Sequence, residues 1–312
     1  MAVANETLRL YTTMGPSSSA SSYHNIGNPV LITIYSIVFI GGVSGAIIML
    51  FLLLKMNTLS VTTTAIINLV VIHSLFLATV PFRLYYYSTD NWIFGLFICK
   101  CVSVMVHFHM YLTFLFYIII LVIRSLIFFQ WKDKVEFYRN LHAVATSVAV
   151  WILAVVTVVP PMILLYGNMI YEDYDYSRCF NFHKEIESVE VKALNYTIIT
   201  VVLAITCTLL GVQVFMVLKV AKKLSGSIWS HQEFWAQLKS MFFVWVIILC
   251  FLPHHFFRIY YIQHVNDKQY SQLYIYNEIC LSVTAISCLD LFSFVVSGSK
   301  LLRQKIIACS CC

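Results

Sequence analysis

The chain has 312 residues, 60% of them hydrophobic and 11% charged, with 20 Lys and Arg against 14 Asp and Glu. A soluble globular protein carries about 25% charged residues, so this composition excludes a fold whose surface faces only water. A lipid bilayer is the solvent that fits. A spanning helix needs roughly 20 mainly apolar residues, and only helices or closed barrels satisfy every backbone polar group in lipid. Barrel strands alternate apolar and polar residues over short segments. The apolar runs here are long and unalternated, so helices are predicted.

Residues 1–28 are polar and serine-rich ("GPSSSASSYHN") and read as a disordered extracellular tail. No apolar stretch in this sequence precedes the first span, so no cleaved signal peptide is expected. Seven spans follow: Val30–Leu54, Thr62–Tyr85, Phe97–Phe129, Leu141–Tyr166, Ala193–Leu218, Leu238–Tyr261 and Ile275–Val296. The connections are short, which predicts one all-α membrane bundle over 29–298. Internal repeats are not visible, unlike the duplicated halves of many transporters. Residues 299–312 contain "SKLLRQKII", a basic amphipathic stretch that predicts a short eighth helix and a cysteine-rich tail.

Lys and Arg prefer cytoplasmic segments. An extracellular N-terminus puts twelve of the 20 basic residues inside, among them Lys55, Arg124, Lys132, Lys219 and Lys300, against three acids, Asp133, Glu136 and Glu233. The outer segments then hold the other eight basic residues against ten acids. The bias predicts an N-terminus outside and a C-terminus in the cytosol, at the plasma membrane. Asn5-Glu6-Thr7 becomes an accessible glycosylation acceptor. Asn195-Tyr196-Thr197 also matches that pattern, at a helix mouth.

Ten cysteines sort by side. Cys99 and Cys179 fall on the oxidising outer face, where a bridge can form; Cys101, two residues from Cys99, is the rival partner. A Cys99–Cys179 bridge closes a loop of about 80 residues, worth roughly 4–5 kcal/mol on the chain-entropy account. Cys207, Cys250, Cys280 and Cys288 lie in helices and read as small packing residues. Cys309, Cys311 and Cys312 follow the basic stretch, a setting that suits palmitoylation.

Several motifs share a spacing. "WIFGLFIC" (Trp92–Cys99) opens the third span, and Arg124 follows Cys99 by 25 residues. "NLVVIH" (Asn68–His73) lies in the second span, Trp151 with Pro160 and Pro161 in the fourth, "CFLPHH" (Cys250–His255) in the sixth and "CLDLFSF" (Cys288–Phe294) in the seventh. Together these resemble the signatures of rhodopsin-like G-protein-coupled receptors, in their purine-nucleotide-type branch, over about residues 29–308. The resemblance implies a seven-helix receptor, not an enzyme. It implies an unknown extracellular ligand, heterotrimeric G proteins and arrestin as partners, no nucleic acid, and no cofactor.

Arg124 stands within "FYIIILVIRSLIFF". An unpartnered arginine in lipid costs at least about 3 kcal/mol on insertion scales, though near a helix end it can snorkel to the interface. The family's arginine at this place alternates between inactive-state partners and the arriving G protein. The usual acidic neighbour is absent, since the sequence reads Ile123-Arg124-Ser125. Glu233, 20 residues before Pro253, matches the family's sixth-helix acid. An Arg124–Glu233 pair is therefore expected at the inner ends of the third and sixth spans.

His73 stands where the family has an aspartate that holds a sodium ion. Imidazole does not suit a hard cation. Thr113 and Ser287 match sodium-site positions, but Ile286 replaces a polar one, so sodium inhibition should be weak or absent. Asp290 remains, and His73 with Asp290 is the expected core polar pair. The fifth and seventh spans lack proline, Leu291 and Phe294 replace the family's Pro and Tyr, and Ala46 replaces its first-helix asparagine. Straighter helices and an altered activation network are expected.

By position in the family, the ligand pocket would draw on Val106, His107, Met110 and Tyr111 of the third span, Phe251, His255 and Arg258 of the sixth, and Tyr276 or Asn277 of the seventh. Val106 stands where an amine receptor needs an acid, and Thr284 where an opsin carries its lysine. Arg258 matches the basic residue that purine-type receptors aim at anions, and arginine grips phosphate or carboxylate bidentately. The favoured ligand is a small anion, a nucleotide or an acidic lipid. The competing role of Arg258 is an ion pair with Glu278. "YEDYDY" (Tyr171–Tyr176) offers a peptide-receptor alternative through an acidic, sulfatable loop, and a low-signalling partner or scaffold is another. An intramembrane enzyme would need a nucleophile–base pair or metal-ligand spacing, and "HFH" (His107–His109) puts its histidines on different faces of one helix. Gly41 and Gly45 form a GxxxG, read as packing inside the bundle rather than dimerisation.

Overall fold

A computed structural model describes residues 17–55, 61–129, 139–165, 178–180, 186, 188–223, 232–264 and 273–295; within these, the side chains of 17–26, 61–62, 139–143, 159, 161–165, 232–233 and 236 are not described. The helices are α1 (Ser17–Leu54), α2 (Val61–Leu77), α3 (Val80–Thr89), α4 (Gly95–Phe128), α5 (Arg139–Leu165), α6 (Val189–Lys223), α7 (Gln232–Val246), α8 (Leu252–His264) and α9 (Leu273–Thr284). Six stretches are long and apolar enough to cross a bilayer: Gly27–Leu54, Thr63–Thr89, Gly95–Phe128, Val189–Lys223, Gln237–His264 and Leu273–Val295. α5 supplies a further apolar stretch, Val144–Val158, at the place of the fourth span. The backbone of α1 is already helical at Ser17, within the segment 1–28. Asn5, Tyr171–Tyr176, the eighth-helix stretch and Cys309, Cys311 and Cys312 lie outside the described residues.

The bundle is turned outward relative to a soluble protein. Val144, Val148, Ile152 and Val156 recur every fourth residue along α5 and all are exposed, a stripe that lipid covers. Inside lie polar groups: His73, Arg83, His109, Thr113, Gln213 and Asp290 are all nearly inaccessible. Lipid offers these groups no hydrogen bonds, and most find partners on other helices, while the Thr113 hydroxyl has none among the described residues. Asn68 of α2 shows the pattern. Its amide donates to Ser147 Oγ at 2.9 Å, and its carbonyl oxygen accepts from the Trp151 indole at 2.8 Å, joining the second span to the fourth.

Three spans change winding, each for a local reason. The second breaks at Ala78–Thr79 before α3, where Pro81 at the first turn of α3 lacks an N–H. The sixth carries a π turn over Ile247–Phe251, just ahead of Pro253. The wider turn relieves the clash and lost bond that proline imposes on a regular helix. The seventh tightens into a 3-10 helix over Ala285–Asp290 although it has no proline. Its hydroxyl residues explain the tighter winding. Ser282, Thr284, Ser287 and Ser293 each donate to the carbonyl three residues back, at 2.6–2.8 Å, which favours the three-residue turn. α6, also proline-free, stays one helix of 35 residues.

The glycines of α1 face the seventh span. A Cβ on Gly41 would stand 2.5 Å from Leu289 Cδ2, and one on Gly45 3.2 Å from Leu291 Cβ. The GxxxG therefore serves close packing within the bundle. Gly45→Val should destabilise by about 1–3 kcal/mol through overpacking, read as a lower melting temperature in detergent. Gly211→Ala is the control. A Cβ there meets nothing within 4 Å, so its melting temperature should hold or rise.

Candidate functional site

α4 runs the full height of the bundle, and the polar groups collect against it at three levels. At one end Cys99 near its start is bonded to Cys179, with Cα atoms 5.8 Å apart. The bridge takes Cys99 and leaves Cys101 free and exposed. Phe180, next to the bridge, is held at φ 67°, a conformation costly for a bulky residue. Its ring packs against Tyr86, Tyr87 and Trp92 and lies 4.2 Å from the Arg83 guanidinium carbon.

Arg83 is the centre of this level. Its Nη1 donates to Tyr35 Oη at 3.3 Å, Tyr87 Oη at 3.4 Å and Glu278 Oε2 at 3.4 Å, and its Nη2 to the Val102 carbonyl at 3.3 Å. Tyr87 also donates to Glu278 Oε2 at 3.1 Å. One guanidinium thus ties the first, second, third and seventh spans together. Sequence reading counted Arg83 only as an outer basic residue. A visible signal was its place amid "PFRLYYY", inside a span rather than after it.

Glu278 therefore pairs with Arg83. Arg258 donates instead to the Asn195 and Asn277 side-chain oxygens, at 3.1 and 3.2 Å. Asn195 thus commits its amide to the bundle; its nitrogen bonds the Val191 carbonyl at 2.7 Å. Of the other expected pocket residues, Tyr111 and His255 face each other with ring centres 6.3 Å apart, and His255 Nδ1 donates to the Phe251 carbonyl at 2.8 Å. His107 is half-buried, its Nδ1 3.1 Å from the Ser103 carbonyl, while Met110 is wholly buried.

At the middle level His73 Nε2 lies 3.3 Å from Asp290 Oδ1. That is ion-pair distance without full hydrogen-bond alignment, and neither atom has another hydrogen-bond partner among the described residues. Asp290 Oδ2 accepts a short hydrogen bond from the Tyr117 hydroxyl. On the other side of the ring, His73 Nδ1 is 2.8 Å from His109 Nε2. Cys288 Sγ stands 3.6 Å from the first nitrogen and 3.4 Å from the second. His109 was missed in the sequence because "HFH" was read along one helix, whereas its partners come from two others. The signal was present: His109, Thr113 and Tyr117 recur every fourth residue, and all three are buried.

At the far end Arg124 Nη1 donates to Ser240 Oγ of α7 at 3.1 Å, and its guanidinium carbon sits 5.5 Å from the centre of the Phe243 ring. Phe243 in turn packs on Phe294, ring centres 5.3 Å apart. Glu233 lies in α7, but its side chain is outside the described residues.

The Arg83 level makes a direct stability prediction. Removing one partner of a buried ion pair leaves the other unneutralised, at about 3–5 kcal/mol. Arg83→Ala and Glu278→Gln should each lower the melting temperature in detergent sharply, and the double variant should cost less than the sum. Additive losses would show that the pair is not coupled.

The comparisons with known proteins agree with this architecture. A family model described as 7 transmembrane receptor (rhodopsin family) matches residues 45–290. The chain is 56% identical over 293 residues to the probable G-protein coupled receptor 141 of Homo sapiens, covering 93% of this chain and 95% of the relative. It is 24% identical over 230 residues to 2-oxoglutarate receptor 1 of Mus musculus, covering 72% of this chain and 66% of the relative. It is 23% identical over 292 residues to proteinase-activated receptor 3 of Homo sapiens, covering 89% and 77%. The chain belongs to the rhodopsin-like family of seven-transmembrane receptors, and it is a receptor rather than an enzyme.

Proposed function

We propose that this receptor, with its N-terminus outside the plasma membrane, passes an extracellular signal to heterotrimeric G proteins by moving the inner halves of the third and sixth spans around Arg124. The contact from Arg124 to Ser240 carries this reading, since it closes the end of the bundle where a G protein would insert. Glu233 precedes Ser240 by seven residues, which puts both on one helical face. A carboxylate two turns beyond Ser240 would add a charged partner for the same guanidinium. Phe294, in place of the family's tyrosine, meets Phe243 through an apolar contact, so the inner end is held by packing as well as by polar bonds. Arrestin would read the same opened end.

The ligand would be a small anion. Two arginines, Arg83 and Arg258, lie at the disulfide end, and the amide oxygens on Arg258 are neutral groups that a carboxylate or phosphate could displace. A relative named as a receptor for 2-oxoglutarate, an anion, supports this class. His107, Tyr111, His255 and Asn277 would frame it.

Loss of an exposed or half-buried contact of about 0.5–1 kcal/mol should shift a two-state equilibrium roughly twofold to fivefold. Glu233→Gln and Ser240→Ala should therefore each raise ligand-free G-protein activation by that factor in transfected cells, and Arg124→Ala should abolish it. If all three variants, expressed equally at the surface, signal like the parent, Arg124 is not the switch and the scaffold reading gains. A screen of dicarboxylates, nucleotides and acidic lipids tests the ligand class. Any response found should fall at least tenfold in potency in Arg258→Gln; a response only to cationic peptides would overturn the anion assignment.

A further inference from the structure

We propose that His73 Nδ1, His109 Nε2 and Cys288 Sγ form a binding site for a zinc-class divalent metal ion that fastens the second, third and seventh spans at mid-height. Three potential ligand atoms of the right chemistry converge there, all lying within 4.8 Å of one another and all on fully buried residues. Imidazole nitrogen and thiolate are borderline and soft donors, which suit zinc and exclude sodium as a good fit.

The distances favour a shared ion. Zinc bonds of about 2.0–2.1 Å to nitrogen and 2.3 Å to sulfur, at tetrahedral angles, put two nitrogens about 3.3 Å apart and nitrogen and sulfur about 3.6 Å apart. The two nitrogen–sulfur separations, 3.6 and 3.4 Å, already match. The two nitrogens, at 2.8 Å, need to part by about half an ångström.

A supporting shell is also present. Metal-bound histidines commonly give their other N–H to a carboxylate, which fixes the tautomer. His73 Nε2 faces Asp290 Oδ1 at 3.3 Å. With the proton on that nitrogen, the Nδ1 lone pair points at the shared space. Asp290 is itself oriented by the Tyr117 hydroxyl. His109 Nδ1, which has no hydrogen-bond partner among the described residues, would carry the proton that Nε2 gives up on coordination. Phe76 stacks on the His109 ring at 4.4 Å and holds its plane.

Charge selects the ion. Binding converts the Cys288 thiol to a thiolate and releases one proton, while the His109 proton moves from Nε2 to Nδ1. The thiolate formed on binding offsets one of the two positive charges of the ion, and the Asp290 side chain lies just behind His73. Three protein ligands leave a fourth position for water.

The test uses the full-length receptor with Cys309, Cys311 and Cys312 replaced by serine, so that tail thiols do not contribute. It is purified in detergent from cells grown with zinc. Elemental analysis should find one zinc per chain, falling to background in Cys288→Ala and in His109→Phe. Zinc should raise the melting temperature of the parent and a chelator should lower it, with neither effect in the variants. Cobalt added to the stripped parent should give thiolate-to-cobalt charge-transfer absorption, a readout that needs no variant to fold. Zinc at background in the parent, equal zinc in parent and variants, or a cobalt spectrum without the thiolate band would each overturn the site.

Discussion

A polar group inside a bilayer must find its partners within the protein, and this constraint organises the bundle. The outward faces are apolar, and the interior holds Arg83, Arg258, His73, His109, His254, His255 and Asp290. The buried charged and ring side chains link helices, while hydroxyls such as Ser103, Thr206 and Thr284 bond their own backbone. The third span is where the links converge: the Val102 carbonyl at the disulfide end, His109 and Tyr117 at mid-height, and Arg124 at the other end. Three levels on one helix give a rod against which the other spans are registered.

The levels differ in how firmly they hold. Arg83 is fastened by four oxygens, two tyrosine hydroxyls, a carboxylate and a carbonyl, and the covalent bridge anchors Phe180 against it. At the Arg124 end a neutral hydroxyl and an aromatic ring are among the contacts. The middle level lies between them. Cys288 and Asp290 both belong to the 3-10 turn and flank the two nitrogens of a single imidazole, His73. The winding of the seventh span thus decides what His73 can bind.

The same turn shows how the seventh span changes winding without proline. The seventh helix lacks proline, yet its hydroxyl side chains tighten it in the same region. Phe294 lacks a hydroxyl and packs on Phe243, replacing a polar junction by an apolar one. A helix can thus change its winding through side-chain hydrogen bonds, provided the backbone groups stay satisfied.

Much of this was determined by the sequence alone. Long apolar runs with few charges require spanning helices, because lipid tolerates no unpaired backbone. The spacing of Cys99, Arg124, Pro253 and Asp290 was enough to reveal the family, and the packing role of Gly41 and Gly45 was legible too. What only the tertiary structure decided is which polar residue meets which. His109 and Cys288 sit 36 and 215 residues from His73, and Glu278 turned to Arg83 rather than Arg258. Pattern along one helix gives the face a residue occupies, but a partner on another helix depends on the rotation and winding of both. Those are set by how all seven spans pack at once.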